Sequence, residues 1–145
     1  MERLVVDGYN VIHAWPELKK LLAVSLEVAR DRLIERMSVY ATVAESDVTV
    51  IFDAHQTASR KNAEQTVEGV RVIFTRKGYK ADHAIERLAY EARDAGDPIM
   101  VATSDRFQAD LVRGMGGGVI SAVELERRVK DAEDDLGRRV QRYAR

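Results

Sequence analysis

Apolar positions along the chain alternate between short, near-continuous runs and longer stretches spaced by three and four residues. The first run, Leu4-Val5-Val6, reads as a strand covered on both faces, the kind from which parallel sheets are built. Pro16 then suits the first turn of a short helix to about Leu22, and Ser25 the N-cap of a longer one. Leu26, Ala29, Leu33, Met37, Tyr40 and Ala41 make an apolar stripe on that second helix, to about Ala44. A β-branched run from Asp47 to Phe52 predicts the second strand, while residues 56–66, polar and without a clean period, read as loop with at most one helical turn. Gly69 opens a third strand, Val70 to Thr75, and Ala84, Ile85, Leu88, Ala89 and Ala92 predict a helix that starts at Asp82 and closes at Gly96. Ile99 to Thr103 is the fourth strand, Asp105 to Arg113 a helix, 114–118 a glycine-rich turn and Val119-Ile120 a short strand. Ser121 caps a terminal helix with a seam of Leu125, Val129, Ala132, Leu136, Val140 and Tyr143. That seam is expected to lie on the domain body, since it is short for a coiled coil and Gly137 interrupts it.

Strands alternating with helices, joined by right-handed crossovers, predict an α/β three-layer sandwich around a central parallel sheet. A single domain over 1–145 is expected, since a chain of 145 residues buries roughly 68–70% of its unfolded surface in one core. No apolar run approaches the ~20 residues of a membrane span. The sequence begins Met1-Glu2-Arg3 without the basic and apolar regions of a signal peptide, and it has no cysteine, so the expectation is a cytoplasmic protein. A net charge of −1 means that any electrostatic footprint is local.

In open parallel sheets the ligand crevice lies beyond the carboxyl ends of the strands. Three predicted strands run into an acid there: Val6 into Asp7, Phe52 into Asp53, and Thr103, by way of Ser104, into Asp105. Singly, Asp82 and Asp105 have a plainer role as helix N-caps, with Gln108 three residues after Asp105 as in a capping box. Asp7 fits that role less well, being followed by Gly8, which permits close approach, and by Asn10. Jointly the acids argue for a site, because caps have no reason to gather at adjacent strand ends. A carboxylate cluster without cysteine is an oxygen-rich site for Mg²⁺ or Mn²⁺. Such a site can hydrolyse phosphodiesters by activating a water. Asp82 and Glu86, four apart on one helical face, form a second candidate ligand pair, though Glu86 also reads as a solvated helix charge. His55 and His83 flank the acids and could shuttle a proton, or be ordinary surface imidazoles.

From His55 to Lys80 there are six bases, Arg60, Lys61, Arg71, Arg76, Lys77 and Lys80, against Glu64 and Glu68. This local excess suits a polyanion approaching bound metal, with Tyr79 able to stack a base; a solvated loop is the plain alternative.

Val-Asp-Gly-Tyr-Asn-Val-Ile (6–12), Phe-Asp-Ala-His (52–55), Ala-Asp-His-Ala-Ile-Glu (81–86) and Ala-Thr-Ser-Asp-Arg-Phe-Gln (102–108) together resemble the YacP-like branch of the NYN domains, relatives of the PIN nucleases. The resemblance spans nearly the whole chain. It implies a PIN-like fold and metal-dependent endoribonuclease activity, in a branch with a member that cuts messenger RNA in association with the ribosome. It also implies an acidic site at Asp7, Asp82 and Asp105, with Asn10 and Asp53 as neighbours. The RNA contacts expected beside it are Arg60, Lys61, Arg76, Lys77, Tyr79, Lys80 and Arg106. A phosphoacceptor receiver domain would need an acidic pair after the first strand and a lysine after the last, where Asp7-Gly8 and Ile120-Ser121 stand. A non-catalytic RNA- or ribosome-binding module is the serious rival, and cleavage that needs divalent metal separates the two.

Overall fold

The computed structural model describes residues 1–53, 63–75 and 81–143. Its strands are β1 (Arg3–Asp7), β2 (Asp47–Phe52), β3 (Ala63–Val67), β4 (Val70–Phe74), β5 (Ile99–Ala102) and β6 (Gly118–Ile120). Its helices are α1 (Gly8–Ala14), α2 (Pro16–Leu21), α3 (Leu26–Ala44), α4 (Ala81–Ala95), α5 (Arg106–Gly114) and α6 (Ala122–Tyr143). The strands form one sheet in the order β3-β4-β2-β1-β5-β6. Every pairing is parallel except β3 with β4.

Side chains alternate across the central strands and feed two cores. Leu4 and Val6 of β1 join Val48, Val50 and Phe52 under the layer of α1, α2, α3 and α6, while Val5, Ile51, Ile73 and Val101 face α4 and α5. The three-layer sandwich follows from this two-sided burial. The chain leaves β1 for β2 on one side and returns to β5 on the other, so β1 and β5 flank the point where strand order reverses. In open α/β sheets a crevice opens there, beyond the carboxyl ends.

Two expectations need correction, and one helix, α1, was not foreseen. The segment read as loop to residue 66 supplies an antiparallel edge strand, β3, so the sheet is mixed. Its residues Glu64, Gln65 and Thr66 are exposed, as suits an edge, so no apolar alternation announced it. What fixes its register is the two-residue turn Glu68-Gly69, both at positive φ (49° and 83°), which closes Val67 onto Val70 as a primed hairpin turn does. Second, the α6 seam is buried only through Leu125, Val129 and Ala132, whereas Leu136, Val140 and Tyr143 are 37%, 57% and 90% exposed. Helix α1 follows β1 without a break, its Tyr9, Val11 and Ile12 buried.

Trp15, between α1 and α2, ties the helical layer together. Its ring is fully buried, its indole Nε1 donates to the Ala122 carbonyl at 2.7 Å, and the Arg36 guanidinium lies 4.9 Å above it. Arg36 is itself buried, makes a two-pronged bond to Glu133 of α6 (2.8 and 3.2 Å) and reaches Glu17 at 3.5 Å. The ring and the charge thus fasten α1, α2, α3 and α6 at one point. Among the described residues no helix is long and apolar enough to cross a membrane.

Candidate active site

Asp7 closes β1 and occupies the N-cap position of α1, yet its side chain caps nothing. The carboxyl instead turns toward β5, where the Thr103 hydroxyl donates to its Oδ2 at 3.1 Å. Burial pushes its pKa up to about 6; the Thr103 hydroxyl and the Asn10 backbone N–H favour the charged form, and the negative charges of Asp105 and Asp53 oppose it. Asn10 N–H faces the carboxyl without closing a capping bond. A desolvated acid among like charges is costly to ionise and attractive to a cation.

Gly8 is required by space. A Cβ there would lie 2.6 Å from Cδ1 of Phe52 and 3.0 Å from the Ile51 carbonyl oxygen. The close approach brings the end of β1 down onto β2, whose own end carries half-buried Asp53. Phe52 cannot swing aside, being stacked between Tyr9 (ring centroids 5.1 Å apart) and Phe74 (5.3 Å). Gly8→Ala is therefore expected to cost about 1–3 kcal/mol by overpacking and to displace Asp7. A denaturant melt that matches the parent would rule this packing out.

Asn10 stands one turn into α1. Its Nδ2 donates to Ser104 Oγ, and its Oδ1 accepts from the Ser104 backbone N–H at 3.2 Å. Both ends of the amide are engaged by one residue of the β5–α5 connection, so Asn10 acts as a clamp between the two strand ends.

Thr103 is the hub that sequence reasoning missed. It is buried, and besides facing Asp7 its Oγ1 accepts the Asp105 N–H at 3.0 Å and lies 2.9 Å from Oε1 of buried Gln108. One hydroxyl proton cannot serve two acceptors. The two oxygens, Asp7 Oδ2 and Gln108 Oε1, therefore compete for it. The only sign of this in the sequence was a pair of hydroxyl residues directly after an apolar run.

Asp105 takes the capping role weighed for it, its Oδ1 accepting the Gln108 N–H at 3.1 Å, and its charge reaches Asp7. The capping box is only half formed, because the Gln108 side chain turns to Thr103 instead of back to the cap. Asp82 is half-buried in the first turn of α4. Glu86, one turn on, lines an open groove with His83, Arg87, Tyr90, Glu91 and Asp94. Among the described residues no three acids stand close enough to share an ion. The donor set around Asp7 nevertheless suits a hard cation, which needs only one or two protein carboxylates when water and phosphate complete its shell.

Arg106 is exposed beside Asp105. Arg60, Lys61, Arg76, Lys77, Tyr79 and Lys80, together with His55, lie outside the described residues. Arg71 does not belong with the free bases: in β4 it pairs with Glu64 of β3 and with Glu91 of α4 at 3.7 Å, and these two carboxylates hold its guanidinium above its ordinary pKa.

Comparison with known proteins agrees with this fold. The YacP-like NYN domain matches residues 4–145. A Bacillus subtilis (strain 168) protein described as "Uncharacterized protein YacP" is 43% identical over 142 residues, 98% of this chain and 83% of its own length. The crystal structure of Rae1 (YacP) from Bacillus subtilis superimposes with a TM-score of 0.86 at 43% identity, covering 99% of this chain and 82% of that one. A tryptophan-to-leucine mutant of Rae1 gives 0.85 at 42% identity, over 99% and 84%. With its fold, the acid-ended strands and a match over almost its full length, the chain belongs to the YacP-like NYN domain family, a branch of the PIN-like nucleases.

Proposed function

We propose that the protein is a divalent-metal-dependent endoribonuclease that hydrolyses RNA phosphodiester bonds. The observation that carries this reading is Asp7, a desolvated carboxyl at the switch point of the sheet, raised by Asp105 and Asp53 and used neither for capping nor, among the described residues, in an ion pair. A purely structural acid gains nothing from such a position. Mg²⁺ or Mn²⁺ bound there would supply a water of lowered pKa and neutralise charge on the transition state. Asp7 and Asp105 would hold the ion and Asp53 would add negative potential, with Asp82 and Glu86 the further candidate ligands carried by α4. Thr103 orients the Asp7 carboxyl, and Asn10 keeps the Asp105 connection in register with β1. The narrower form of the proposal, cleavage of messenger RNA in a ribosome-associated setting, draws on the family resemblance.

A non-catalytic RNA- or ribosome-binding module is favoured by one observation, the lack of three clustered acids among the described residues. Incubation with RNA, and with translating ribosomes, in Mn²⁺ or Mg²⁺ against chelator decides between them. Cleavage that disappears with chelator and in Asp82→Asn is the expected result; binding without cleavage in any metal would establish the module.

For the bases at Arg76, Lys77 and Lys80 the proposal concerns substrate capture. Replacing all three by Ser is expected to lower the salt slope of RNA binding by about 2, at ~0.7 per lost phosphate contact on a single strand. KM should rise with little change in the single-turnover rate at saturation. An unchanged slope would remove this segment from the RNA path.

A further inference from the structure

Phe107 is 67% exposed although it stands at the crevice and not on a remote surface. Thr103 bonds both Asp7 and the Asp105 backbone, and Asp105 caps α5 through the Gln108 N–H, so the first turn of α5 is held against the end of β1. Phe107 is in that turn, two residues past Asp105, about 3 Å further along the helix axis and about 200° around it, which sets the ring on the outer side of the crevice rim. Gln108, Ala109 and Val112 take the buried face of α5. Phe107 is on the open side, and Ser104, Asp105 and Arg106 beside it are all exposed. Phe107 belongs to neither buried core, and its neighbours at helical spacing are Ser104, Asp110 and Leu111.

We propose that Phe107 is a stacking platform for an unpaired nucleobase of the RNA next to the scissile phosphate, with the Arg106 guanidinium beside it for the backbone. This inference rests on the reading that the substrate is RNA and extends it by naming a base contact and a preference for single strands. An aromatic face suits the site because every base has a π-face, whereas a base paired and stacked within a duplex cannot cover the ring. A protein partner would want a broad apolar surround for the same ring, and on the helix surface the ring has exposed Ser104 and Asp110 beside it, with half-buried Leu111 the one apolar neighbour at helical spacing.

The test uses the full chain carrying Asp7→Asn, so that oligoribonucleotides bind without being cut. Binding of a short single strand is measured by anisotropy for this parent, for added Phe107→Ala and for added Phe107→Trp. The alanine variant is expected to bind about 5- to 150-fold more weakly, the range spanned by loss of one base–aromatic stack. The tryptophan variant should keep the affinity, with its fluorescence quenched on binding. A scan of oligonucleotides with a single abasic position should find one position where the parent loses the same factor and the alanine variant loses little more, the non-additivity of two groups in contact. Duplex RNA should bind parent and alanine variant alike. Equal affinity of the parent and Phe107→Ala for the single strand, with no abasic position coupled to the ring, would overturn the proposal and leave the ring to a protein partner. No RNA binding by the parent at all would overturn the RNA reading along with it.

Discussion

Asp7→Asn is expected to abolish cleavage and, in metal-free buffer, to raise the melting temperature. The folded protein holds the Asp7 proton with a pKa of about 6, against an ordinary value of 3.8. Between these values the folded state keeps a proton that the unfolded chain has released, so stability falls as pH rises from about 4 to about 6. Above that window the loss is complete, up to about 3 kcal/mol. Asparagine carries no charge to desolvate. The advantage of the variant should therefore be greatest at pH 7–8 and fade below pH 4, which melting curves across that range in chelator will show; parallel pH profiles for the two proteins would refute desolvation of Asp7 as the cause. Mn²⁺ should stabilise the parent by mass action and the variant far less, and its hold on the parent should weaken as pH falls through 6, because the proton competes for the same carboxyl.

The second large effect concerns α6. Ending the chain after Val123 removes Leu125 and Val129, both fully buried, and the Glu133 carboxylate that holds Arg36. Two such side chains contribute about 3–6 kcal/mol between them, and stripping a buried guanidinium of its main partner adds about 3 kcal/mol or more. A total of that size is comparable with the whole stability of a small domain, so the shortened chain should show no cooperative melting. Ending it after Asp135 should cost far less, because Val140 and Tyr143 are largely exposed and Leu136 is only partly covered. If instead the longer deletion melts like the parent and only dissolves a dimer, α6 belongs to an interface between copies.

The order of strands and helices was legible because each buried strand is an apolar run and each helix carries its stripe. Ser25 and Ser121 were legible as caps for a local reason: each accepts the N–H three residues on, from Val28 and Glu124 at 3.0 Å. The same locality explains the failures. β3 is polar at Glu64, Gln65 and Thr66 and becomes a strand because β4 offers it a ladder. Arg71 looked like a free base because the acids that neutralise it come from two other elements. In the site, Asp7 and Asp105 could be found by the rule that strand ends face the crevice, and Asn10 by its closeness to Asp7. Thr103 and Gln108 could not, since their importance lies in which proton goes where, and that depends on a carboxyl 96 positions earlier in the chain.

That separation bears on when the site can exist during synthesis. Asn10 meets Ser104 and Asp7 meets Thr103 across 94 and 96 positions, and Trp15 meets Ala122 across 107. While the chain is being made, its amino-terminal third can emerge with Asp7 solvated, of ordinary acidity and without a second strand end to face. The carboxyl acquires its raised pKa and its neighbouring charge only after β5 has inserted beside β1, and the helical layer is fastened only when α6 arrives. A growing chain thus lacks the assembled crevice until it is almost finished.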